Sequence, residues 1–91
     1  MILMFGRHAA QRMFERGITQ ADVQTALSAG QVIEDYPTDY PLPSCLWMGY
    51  SGSRPLHIVY ANSPQGDRII ITVYEPDAAL WTDNFTKRII R

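Results

Sequence analysis

The chain has 91 residues, 46% of them hydrophobic and 19% charged, with a formal net charge of −1 and a sequence pI near 6.0. That is the composition of one small folded domain, residues 1–91, and it excludes both a disordered chain and a binder that relies on bulk positive charge. A single cysteine, Cys45, excludes an internal disulfide; no run approaches the ~20 apolar residues of a membrane span, and Met1–Phe5 is too short for a signal segment, so a soluble cytoplasmic protein is expected.

Met1–Phe5 is apolar and suits a short strand or simple packing. From Arg7 the period changes. Ala9, Ala10, Met13 and Phe14 share one helical arc, His8, Arg12 and Arg16 run along its edge at i, i+4 and i+8, and Gly17 stops the helix. Thr19 with Asp22 predicts a capping box for a second helix, and Ile18 with Val23 predicts a hydrophobic staple. Val23, Ala26 and Leu27 are its buried stripe, and Gly30 closes it. Gln31–Tyr36 reads as a strand. The prolines at 37, 41 and 43 then predict an extended surface loop. Cys45–Tyr50 is a further strand. The stretch Leu56–Tyr74 reads as a central hairpin, with the turn formers of 62–67 between two β-branched and aromatic runs. Ala78–Trp81 suits a turn of helix. Asp83 is a cap candidate for a last short helix carrying Phe85, Ile89 and Ile90 beside Lys87, Arg88 and Arg91.

Helices first and strands after predict an α+β fold: two N-terminal helices packed on one face of an antiparallel β-meander of about four strands, with a short C-terminal helix. The registers chosen set His57 opposite both Tyr74 and Gly49. Leu46, Met48, Tyr50, Leu56, Ile58, Tyr60, Ile71 and Val73 are then expected under the helices. Cys45, Trp47, Gly49, His57, Val59, Ala61, Ile70, Thr72 and Tyr74 are expected on the other face.

His57, Tyr74 and Thr72 on that second face have the chemistry of a proton-transfer site, with imidazole and phenol as acid–base groups. The plainer alternative is a half-buried histidine bonded to its neighbours. His8, Arg12 and Arg16 point one way along the first helix, and an arginine pair suits a phosphate or carboxylate; the alternative is a solvated helix edge. Cys45 is expected too far along its strand from His57 to act as its nucleophile. No short-spaced ligand pair predicts a metal and no glycine loop predicts a phosphate, so neither metal nor cofactor is expected. Trp47, Tyr60 and Trp81 suit base stacking but equally suit a core.

The run His8-Ala9-Ala10-Gln11-Arg12-Met13-Phe14-Glu15-Arg16-Gly17-Ile18 resembles the opening of a bacterial family, domain of unknown function 4258. The likeness continues through Asp22-Val23, Gly30–Tyr36, Pro55–Val59 and Ile71–Asp77 with Trp81. It implies a compact fold similar to the RelE/ParE and BrnT toxin group, and by fold analogy a toxin-like, metal-independent endoribonuclease of a toxin–antitoxin pair. In that reading His57 or His8 moves protons, with Tyr74 as a further catalytic candidate. Arg12, Arg16 and Thr72 bind substrate, and RNA and an antitoxin protein are the partners. The alternative is a non-catalytic module that binds a partner protein through the exposed sheet face. The second face needs a cover. A C-terminal segment that folds back would give a complete monomer, and without that cover a dimer or a bound partner is needed; a homodimer through this face or through that segment is expected.

Overall fold

The computed structural model describes residues 2–90. Met1 and Arg91, read above as part of the N-terminal apolar run and of the C-terminal basic segment, lie outside the described residues. The elements are β1 (Leu3–Phe5), α1 (Arg7–Glu15), α2 (Gln20–Ser28), β2 (Gly30–Tyr36), β3 (Ser44–Ser51), β4 (Arg54–Asn62), β5 (Arg68–Tyr74), β6 (Trp81–Thr82) and β7 (Lys87–Arg88).

The local chemistry of the two helices works as read. Gly17 at φ +65° ends α1: its N–H reaches Phe14 O and the Ile18 N–H reaches Met13 O, a Schellman closure. The Thr19–Asp22 capping box is complete, and Ile18 and Val23 are both buried. One part of the α1 stripe is reversed. Ala9 and Met13 are buried, but Ala10 is exposed and Phe14 is 88% exposed, because the helix seats on β5 along a narrower line than the arc suggested.

The sheet corrects the expected fold class. It has five strands in the order β1-β5-β4-β3-β2, and it is mixed, because β1 runs parallel to β5. A second, two-stranded sheet pairs β6 with β7, and it occupies the place of the expected C-terminal helix. Asp83, Asn84 and Phe85 all have positive φ, at 51°, 59° and 66°, so the chain reverses there instead of winding into a right-handed helix. The turn expected at 78–81 does form, with Leu80 and Trp81 N–H groups on Asp77 O and the Ala79 N–H on Asp77 Oδ1.

His57 opposes Tyr74 as expected, but across β3 it opposes Met48 rather than Gly49. A one-residue slip carries a whole strand to the other face. Cys45 and Trp47 therefore join the core beneath the helices with Leu56, Ile58, Tyr60 and Val73, while Leu46 and Met48 move to the far face with His57. A bulge after Val59 exchanges Ile70 and Ile71 in the same way: Ile70 is in the core and Ile71 is 40% exposed. The reason for the slip is a close approach. A Cβ on Gly49 would stand 2.1 Å from Ala26 O, and one on Gly30 would stand 2.2 Å from Met48 O. Trp47 Nε1 donates to that same Ala26 O at 3.0 Å. The two glycines, paired across β2 and β3, let the end of α2 settle on the sheet. Gly30 is thus the first residue of a strand and not a helix-closing turn.

Candidate functional site

The far face is covered by the segment 77–90, which folds back across it. Trp81 is 6% exposed and sets its ring edge-on to the His57 imidazole, centroids 4.5 Å apart and planes at 90°. Arg88 lies over that indole at 4.7 Å and holds Glu34 with two bonds, Nε to Oε2 at 2.7 Å and Nη2 to Oε1 at 3.0 Å. Tyr36 donates its hydroxyl to the same Glu34 carboxylate. Tyr50 donates to Asn84 Oδ1 at the hairpin tip.

Beneath this cover His57 is 0% exposed. Its Nε2 lies 2.8 Å from Phe85 O and its Nδ1 lies 3.3 Å from the Tyr74 hydroxyl. A carbonyl only accepts, so Nε2 carries the proton and Nδ1 accepts from the phenol. Burial pushes the imidazole below its ordinary value, and the bond to Phe85 opposes that in part; His57 is neutral. Burial pushes the Tyr74 phenol up, while Arg88 and Arg16 both pull it down. The Glu34 carboxylate, paired with Arg88, pushes the phenol up as well. The Arg88 bond lowers Glu34.

Arg16 reaches the row from the other end. β1 pairs with β5 only over Arg68–Ile70, so the β5 edge beyond it is free. Arg16, at the end of α1, caps that edge: its Nη1 donates to Val73 O at 2.8 Å and to Thr72 Oγ1 at 3.4 Å. Thr72 and Tyr74 share one face of β5, opposite Val59 and His57. Arg16, Thr72, Tyr74 and His57 thus form one continuous row. The other two candidates stay outside it. His8 is exposed in the first turn of α1, and its imidazole makes no hydrogen bond among the described residues. Arg12 is exposed and pairs with Glu15 at 3.3 Å.

Sequence reasoning left Glu34, Tyr36 and the Phe85 carbonyl out of the site, and it put Arg88 on a helix. The alternation of Glu34 and Tyr36 was a usable signal, but the bulge between Val32 and Glu34 obscured their register. Cys45 lies on the helix face opposite Tyr60. It is separated from His57 by the sheet itself, and burial raises its thiol. No group of three or more His, Cys, Asp or Glu among the described residues is arranged to hold a metal ion. No helix there is long and apolar enough to cross a membrane.

The profile of a family described as a domain of unknown function (DUF4258) matches residues 5–75. The chain belongs to the DUF4258 family. The matched stretch contains both helices and strands β2 to β5, with only the last residue of β1, and it includes Arg16, His57, Thr72 and Tyr74. It stops before the hairpin that closes over His57. The chain matches no curated protein and no solved structure.

Proposed function

We propose that the protein is a toxin-like endoribonuclease whose site is the far-face row Arg16–Thr72–Tyr74–His57. The observation that carries this reading is a phenol hydrogen-bonded to a buried neutral imidazole, on a strand whose free edge is capped by the Arg16 guanidinium at Thr72 and Val73. In the cleavage, the 2′-hydroxyl of RNA attacks the adjacent phosphorus. The P–O2′ bond forms, the P–O5′ bond breaks, and a 2′,3′-cyclic phosphate and a 5′-hydroxyl result. Tyr74, kept protonated by burial, turns its hydroxyl from His57 Nδ1 to the leaving O5′ and gives it the proton. The 2′-hydroxyl proton passes to water, and the phenolate recovers one from water. Arg16 and Arg88 balance the charge on the phosphoryl oxygens. His57, closed off from solvent, positions Tyr74 and does not touch substrate. RNA is the substrate partner, and an antitoxin protein is the expected binding partner.

One observation favours a second reading, a non-catalytic module that binds a partner protein: the same hairpin that orders His57 also encloses it. Expression in a bacterial host separates the two readings. Impaired growth with fragmented RNA, both relieved by Tyr74→Phe, supports the enzyme. Normal growth and intact RNA with wild type support the binding module.

A further inference from the structure

Arg68 opens β5, flanked by Leu3 on one side and Asn62 on the other. Its guanidinium lies on the helix side of the sheet, 4.5 Å from the Tyr60 ring centroid and 5.9 Å from that of Trp47. Other cations of the chain are engaged by carboxylates: Arg12 by Glu15, Arg54 by Glu75, Lys87 by Asp83 and Arg88 by Glu34. Arg68 has no such partner among the described residues, and its Nε is buried with no hydrogen-bond partner. Stacking on aromatic rings satisfies the face of a guanidinium but not its N–H edge, and at that edge the Nε donor is buried without an acceptor. A buried donor in that state is costly unless a ligand supplies the acceptor.

A cavity of about 280 Å³ lies beside that group, walled by Leu3, Gln24, Leu27 and Ser28 with Arg68. No acidic residue lines it. The Ser28 hydroxyl donates to Thr25 O at 2.6 Å, so its hydrogen is already used. The donors that remain are the Arg68 fork and the Gln24 amide; the two leucines form the apolar walls. A phosphate dianion needs several charged donors around a tetrahedron. One planar fork with apolar walls suits instead a planar monoanion carrying a hydrocarbon body.

We propose that this cavity binds a carboxylate on a short apolar stem, the carboxylate held two-fold by Arg68 and the stem by Leu3 and Leu27. The carboxylate belongs either to a free aliphatic acid or to the C-terminus of a peptide that ends in an apolar residue. The site lies on the opposite side of the sheet from the His57 row, so it does not depend on the nuclease reading.

The test is an NMR titration of the full chain with hexanoate, with an acetylated tripeptide ending in leucine, and with hexanamide as the uncharged control. Saturable shifts at Leu3, Gln24, Leu27 and the Arg68 side chain are expected with a carboxylate. They should be at least tenfold weaker with hexanamide and at least tenfold weaker in Arg68→Met. Ser28→Leu, an exposed position on α2, fills the cavity without disturbing the core and should abolish them. Saturation by hexanoate alone assigns the free acid. Binding of the peptide at least tenfold tighter than hexanoate assigns a chain terminus. Equal shifts with hexanamide, shifts that persist in Ser28→Leu, or no saturable shift with either carboxylate up to about 50 mM overturn the proposal.

Discussion

The unfolded chain takes up a proton at His57 near pH 6.5, whereas burial holds the folded group below that value. The contribution of this residue to stability is therefore fully present above pH 6.5 and is lost as pH falls from there toward the folded pKa. Asp22 and Glu34 are lowered from 3.8 and 4.5, so their contributions hold through this window and fail only at lower pH. Urea midpoints at about pH 7.5 and about pH 5.5 should show wild type weakening, with His57→Gln less stable but nearly flat between the two. An equal slope in both proteins would remove the buried neutral imidazole from the account. Gly49 is the other residue on which much depends. The expected register set it opposite His57, but its missing Cβ makes room for α2. The sequence shows that a glycine interrupts a strand, not which face needs the space. Gly49→Ala forces the Ala26 carbonyl away and should cost about 1–3 kcal/mol, read as a lower urea midpoint.

Among the elements, the helices were legible because their signals are local. Cap, box and staple all lie within a few residues of one another, and each is satisfied in the folded chain. Thr19→Ala should cost about 1 kcal/mol in thermal or urea unfolding. The C-terminal hairpin was not legible. Asp83 looks like a helix cap, and Phe85, Ile89 and Ile90 have acceptable helical spacing. The backbone is instead turned left-handed at three consecutive residues and held by distant partners: His57 on Phe85 O, Tyr50 on Asn84 and Glu34 on Arg88. None of these pairings is encoded within the segment. The Glu34–Arg88 pair is the most accessible of them to experiment. With Arg88 61% and Glu34 25% exposed, a double-mutant cycle should give a coupling of about 0.5–1 kcal/mol that shrinks as salt is added. A coupling of zero at low salt would show that the hairpin is held without it.

For the whole molecule, the α+β class, the central hairpin and the His57–Tyr74 pairing were readable from period and composition. The N-terminal strand was left open and the mixed topology was missed, because β1 is three residues long and its partner lies at the far end of the chain. The covered face bears on association. Segment 77–90 supplies over His57 the apolar cover that a dimer was expected to provide, so light scattering should return the mass of one chain. A mass of two chains would direct attention to the open edge of β2, where Val32 is 42% exposed. The row that joins the end of α1 to the cover over the far face is the central claim, and one assay addresses it directly. Purified protein is incubated with a short single-stranded RNA, and the products are analysed for a 2′,3′-cyclic phosphate. Wild type should generate that product, and Tyr74→Phe should slow it by about 100-fold or more. Failure of wild type to cleave, or cleavage by Tyr74→Phe at the wild-type rate, would contradict the account.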